Sequence, residues 1–152
     1  MPNRVCFFSL YVVAALVPFA RGQSSNGYVV GGGGSLNSKF VSHAAIGGEK
    51  VFSKGIGVGA ELGAVAGHSS FAAISFNGYY HIPNSTTDRQ FDPFITGGYS
   101  ALANILSSGN AGNAGAGLNY WFHRHFGLRA EFRDIVGSRN HVPLFRGGIA
   151  FR

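Results

Sequence analysis

The sequence predicts an all-β protein, an eight-stranded antiparallel up-and-down transmembrane β-barrel. Three observations carry the prediction. Apolar and polar residues alternate with a period of two over successive runs, which sends neighbouring side chains to opposite faces of a strand. The composition, with 24 glycines, 14% aromatic and only 12% charged residues in 152, suits many short strands and excludes a disordered chain. Aromatic residues also gather near the ends of the alternating runs, in two bands separated by Ala, Gly, Val and Ile.

The clearest run is Gly115 to Asp134. Phe126, Leu128, Ala130 and Phe132 form one apolar row, opposed by Gly127, Arg129, Glu131 and Arg133. Before it, Ala116, Leu118, Tyr120 and Phe122 alternate with Gly117, Asn119 and Trp121, and His123-Arg124-His125 forms the polar turn of a hairpin. Opposite charges in one row suit a narrow polar interior where they neutralise one another. With the other row wholly apolar, the hairpin has the inside-out pattern of a barrel in lipid.

Taken in order, the chain begins with a secretory signal peptide over residues 1–22, leaving a barrel domain over 23–152. Arg4 supplies the positive start and Val5 to Ala20 the apolar centre, too short for a spanning helix. Small residues Ala20 and Gly22 mark the cleavage site. Removal of Arg4 and Arg21 takes the formal charge from +6 to +4, too modest to argue for nucleic acid as a partner. Cys6 lies in the same segment, so the mature chain offers no disulfide or thiolate chemistry.

Strand one is expected at about Gly27 to Gly34 and strand two at Phe40 to Phe52. Ser53-Lys54-Gly55 turns into strand three, Ile56 to Gly67, with Ile56, Val58, Ala60, Leu62, Ala64 and Ala66 on one face. Strand four, Phe71 to Ile82, sets Ala72, Ile74, Phe76, Gly78, Tyr80 and Ile82 against Ala73, Ser75, Asn77, Tyr79 and His81. Pro83 to Gln90 reads as a loop, and strand five runs from Phe91 to about Ala101. Loops at Ser107 to Asn113 and Val136 to Pro143 flank the hairpin, and strand eight is Leu144 to Arg152. Either face of strands one, two and five could point outward.

If even strands end and odd strands start at one rim, the aromatic girdle there holds Tyr80, Phe94, Tyr120, Trp121, Phe122, Phe126 and Phe151, with Tyr28, Phe52 and Phe91 beside them. Phe40, Phe71, Phe132 and Phe145 fall at the opposite rim. The lumen is expected to hold Glu61, Arg129, Glu131, Arg133 and Arg146. An eight-stranded interior is only wide enough for side chains, so an internal ion-pair plug is favoured over an ion-conducting constriction.

Three pieces carry a family resemblance: Asp92-Pro93-Phe94-Ile95-Thr96-Gly97-Gly98-Tyr99, the hairpin GAGLNYWF with FGLRAEFRD, and the last alternating strand ending in Phe151. On these the chain resembles the OmpA-like and OmpX-like eight-stranded outer-membrane barrels. The family's assembly signal usually ends in a terminal aromatic, whereas Arg152 follows Phe151 here. The resemblance implies a bacterial outer-membrane location, contact with outer-membrane lipid and lipopolysaccharide, and use of the outer-membrane assembly machinery. It implies architecture rather than activity.

Other chemistry is weaker. His68-Ser69-Ser70 matches in residue type the His-x-Ser of outer-membrane lipid A deacylases, but no carboxylate stands near in sequence to orient the histidine, and a polar turn is favoured. His123 and His125 share a turn without further ligands, so no metal is expected. Gly55-x-Gly57-x-Gly59-x-x-x-Gly63 lies inside a strand with no following helix and fails as a nucleotide motif. The expectation is therefore a non-catalytic integral barrel with a structural or surface-interaction role and no cofactor. A narrow low-conductance pore, a lipid A-modifying hydrolase and a soluble secreted Gly-rich β protein are the alternatives.

Overall fold

The structure, a computed structural model, describes residues 24–67, 70–83, 90–104, 108–138 and 141–152. The expected signal peptide and the His68-Ser69 pair lie outside them. Eight strands form one closed antiparallel barrel in chain order: β1 Ser24–Leu36, β2 Lys39–Val51, β3 Ile56–Ala66, β4 Phe71–His81, β5 Phe91–Ala103, β6 Ser108–Trp121, β7 Phe126–Val136 and β8 His141–Phe151. Closure by β1 with β8 leaves no unpaired sheet edge.

The strands are staggered as closure requires. Following Cα partners from Ser24 to Val51, Gly57, Tyr79, Thr96, Gly115, Arg133 and Leu144 brings the circuit back to β1 at Gly34, about ten residues further on. Such a stagger tilts the strands by about 40°, so an 11-residue strand of about 36 Å rises about 28 Å. That height matches the hydrocarbon core of a bilayer.

Between the rims the outer wall is apolar. Ile46, Leu62, Ile74, Phe76, Leu128 and Ile149 all face out, and Leu62 is 55% exposed. A belt of large aliphatic and aromatic side chains open to the surroundings on seven of the eight strands, with Leu118 and Tyr120 of β6 half-buried, is a lipid-facing surface. Aromatic pairs close the belt at both rims. Phe91 and Tyr120, partners across β5 and β6, lie 5.0 Å apart at the rim bearing the chain ends, the terminal rim. Phe132 and Phe145, partners across β7 and β8, lie 4.9 Å apart toward the other, the far rim.

Connections are shorter than the sequence suggests. Ser108 to Asn113, read as part of a loop, belongs to β6 and pairs with β5 from Ala103 inward. Likewise β7 runs to Val136 and β8 starts at His141, shrinking the expected loop at Val136 to Pro143. Gly, Ser and Asn have poor strand propensity, but ladder pairing overrides it, with β5 for Ser108 to Ala111 and with β7 for His141 to Pro143. Between β1 and β2 only Asn37 and Ser38 remain, both with positive φ (51° and 62°), the geometry of a tight two-residue hairpin turn.

Candidate functional site

The inward rows of all eight strands meet in a filled interior. The inward alternation of β7 places Arg129, Glu131 and Arg133 in one column, and β3 and β8 contribute Glu61 and Arg146. Arg129 is 1% exposed and Glu131 3%. The five residues named from the sequence as lumen candidates are thus brought together, and they touch. Arg146 holds Glu61 through two bonds, Nη1 to Oε1 at 2.7 Å and Nη2 to Oε2 at 3.0 Å. Arg133 Nη1 donates to Glu61 Oε1 at 3.2 Å and its Nε to Glu131 Oε1 at 2.7 Å. Arg146 Nη2 also reaches Glu131 Oε2 at 2.9 Å, and Arg129 Nε donates to the same oxygen at 3.2 Å.

Several members of the network lie outside those five. Glu49 on β2 accepts from Asn26 at 3.1 Å and faces Arg129 Nη1 at 3.5 Å. Its strand could not be oriented from sequence, because Ala44, Ile46 and Gly48 oppose His43, Ala45 and Gly47 with little contrast. Tyr28 donates to Glu61 Oε2 at 3.0 Å and therefore accepts from Tyr79, 2.9 Å away. Nearer the terminal rim, His81 Nδ1 lies 2.7 Å from Asp92 Oδ1, and Asn119 donates to Asp92 Oδ2 at 3.1 Å. The inward row of β4, with Tyr79 and His81, was the available signal. On the neighbouring strands β4, β5 and β6, Ser100 bonds Ser75 at 2.8 Å and accepts from Asn113 at 2.9 Å.

Two expected girdle residues are elsewhere. Phe94 and Trp121, with Tyr28 from the wider band, are buried in the interior, Phe94 at 1% exposure. Each lies on the inward row of its strand, and its cross-strand partner leaves room for the ring. Tyr28, Phe94 and Trp121 stand opposite Gly47, Gly117 and Gly127. With no Cβ on the partner, each ring lies against the wall, where a side chain would collide with it. The Arg129 guanidinium is then sandwiched 4.1 Å from the centroids of both Tyr28 and Phe94. Tyr80, Tyr120, Phe122, Phe126 and Phe151 do face outward at the terminal rim.

Apolar layers border the polar column. Toward the far rim Val41, Val65, Ala111, Ile135, Val142 and Leu144 form a buried cluster. At the terminal rim Arg152 covers Trp121, its guanidinium 4.3 Å from the indole, and is pinned by Nε donating to the Arg124 carbonyl at 3.1 Å. Three arginines against three glutamates, with His81 beside Asp92, make a charge-balanced interior. Among the described residues no cluster of His, Cys, Asp and Glu is fit to hold a metal ion.

No protein-family model matches the chain, and no curated protein matches its sequence. Solved structures do match. Neisserial surface protein A superposes with a TM-score of 0.68 at 9% identity, over 84% of this chain and 96% of that one. A de novo designed transmembrane β-barrel gives 0.65 at 17%, over 87% and 97%. The N-terminal β-barrel domain of Pseudomonas aeruginosa OprF gives 0.61 at 20%, over 86% and 98%. At such identities the likeness is one of fold, and one of the three was designed from scratch, so no activity travels with it. The chain is an eight-stranded antiparallel transmembrane β-barrel, with the fold of the small barrels of bacterial outer membranes.

Proposed function

We propose that this chain is a closed, non-catalytic integral barrel of a bacterial outer membrane, serving a structural or surface-interaction role. The observation that carries the reading is the filled interior: Glu61 and Glu131 are each held by two or more arginines. Such groups are already neutralised and positioned, and an apolar layer lies beyond them. An open channel needs a water-filled path, which eight strands seldom leave. The outer-membrane location is supported by the natural barrels of the same fold and by the N-terminal signal-like segment.

Planar-bilayer recording of refolded protein tests it. Closed bilayers are expected, with heat-dependent electrophoretic mobility showing that the barrel is folded. Sustained unitary conductance would favour the second reading, a narrow pore along the charged column from Asp92 to Arg146. Expression in a host outer membrane is expected to leave the lipid A mass spectrum unchanged.

A further inference from the structure

Charge is distributed unequally between the interior and the terminal rim. Lys54 sits in the β2–β3 turn, Arg124 in the β6–β7 turn and Lys50 on the outer face at the end of β2. Lys54 and Arg124 are exposed, and none of the three forms an ion pair among the described residues. The described carboxylates that could answer them are committed elsewhere. Glu49, Glu61, Glu131 and Asp92 point inward, and Asp134 lies toward the far rim beside His141. Arg152 adds a further cation, held over Trp121.

Immediately toward the bilayer centre from these cations, Tyr80, Phe91, Tyr120, Phe122 and Phe126 face outward. Aromatic rings at that height sit at the boundary of headgroup and acyl chain. A cation just beyond them meets the phosphate layer, and long side chains such as Lys50 snorkel to it. We propose that the terminal rim binds anionic glycerophospholipid headgroups of the leaflet that surrounds it. The inference rests on the outer-membrane reading.

The choice of glycerophospholipid over lipid A follows from insertion. With an even strand number both chain ends lie on one rim, the side from which the chain enters. The connections that must cross the hydrocarbon are then those of the far rim, 37–38, 67–70, 104–107 and 137–140, none longer than four residues. The terminal rim keeps the longer connection, 82–90, and three of the described cations that form no ion pair, Lys50, Lys54 and Arg124, against Lys39 at the far rim, and cations are costly to carry through lipid. It therefore stays in the periplasmic leaflet, where the lipids are glycerophospholipids.

Trp121, the single tryptophan, stands at this rim and reports on it. The protein is reconstituted in phosphatidylcholine vesicles, and its fluorescence is quenched by phosphatidylglycerol or phosphatidylcholine carrying a nitroxide near the headgroup. A preference for phosphatidylglycerol of about five-fold is expected, the scale of one surface cation against an anionic leaflet. It should shrink in molar salt, where screening acts over about 3 Å. The Lys54→Gln/Arg124→Gln variant should bring it close to parity, whereas Lys39→Gln at the far rim should leave it unchanged. Equal quenching by both lipids in the wild type, or a preference that survives in the double variant, overturns the proposal. So does stronger quenching by lipid A carrying the same label. Loss of heat-modifiable mobility in neutral vesicles would instead refute the membrane reading beneath it.

Discussion

Replacing Glu61 by Ala tests whether the interior network holds the barrel closed. Glu61 receives two bonds from Arg146, one from Arg133 and one from Tyr28. Bonds to a charged group are worth about 1.5–3 kcal/mol each, but they do not add, because Glu131 still holds Arg133 and Arg146. The cost is set by leaving an excess buried positive charge, about 3–5 kcal/mol when one member of a buried pair is removed. Urea unfolding in lipid vesicles, followed by Trp121 fluorescence, measures it. A second variant isolates the pair: Glu61→Ala/Arg146→Ala removes both charges and should recover about 1–3 kcal/mol relative to the sum of the single losses. Tyr28→Phe, which deletes one donor and keeps the ring over Arg129, should cost about 1 kcal/mol. A loss below about 1 kcal/mol for Glu61→Ala, or strict additivity in the double variant, would refute the reasoning and imply that water reaches these groups and solvates them.

Two further substitutions test the wall from each side. Gly117→Ala places a Cβ against the Phe94 ring and 2.7 Å from the Ala130 carbonyl oxygen, so overpacking of about 1–3 kcal/mol is expected, with partial rescue by Phe94→Leu. Leu62→Arg puts a charge on the outer face near mid-height, opposite Ile46 and Ile74. In vesicles it should destabilise by about 2–4 kcal/mol, whereas a water-facing position would lose no more than about 0.5 kcal/mol.

The strand count, the inside-out polarity and the charged column were all legible in the sequence, because each is a period-two property of a single strand. Contrast decides how legible: β3, β4 and β7 oppose large apolar residues to small or charged ones, and their faces could be assigned without a neighbour. In β2, alanine, glycine and isoleucine leave the two faces nearly alike, so Glu49 gave no sign of its partnership with Arg129 and Asn26. The starts of β6 and β8 were hidden for another reason. Their Ser, Gly, Asn and Pro residues favour turns locally, and only the ladder to one neighbouring strand, β5 for β6 and β7 for β8, makes them strands.

The sequence by itself determined that this chain would bury charge and show lipid its apolar rows, since alternation assigns every other side chain to the same face. Tertiary structure decided which strands stand opposite one another. The ten-residue stagger sets Tyr28, Phe94 and Trp121 across from glycines that leave room for their inward rings, and brings the Tyr28 and Phe94 rings to Arg129. It also brings Glu61 within reach of Arg146, 85 positions away in the chain. No local pattern contains that information, because register is a property of the closed sheet, where each strand's position depends on all the others.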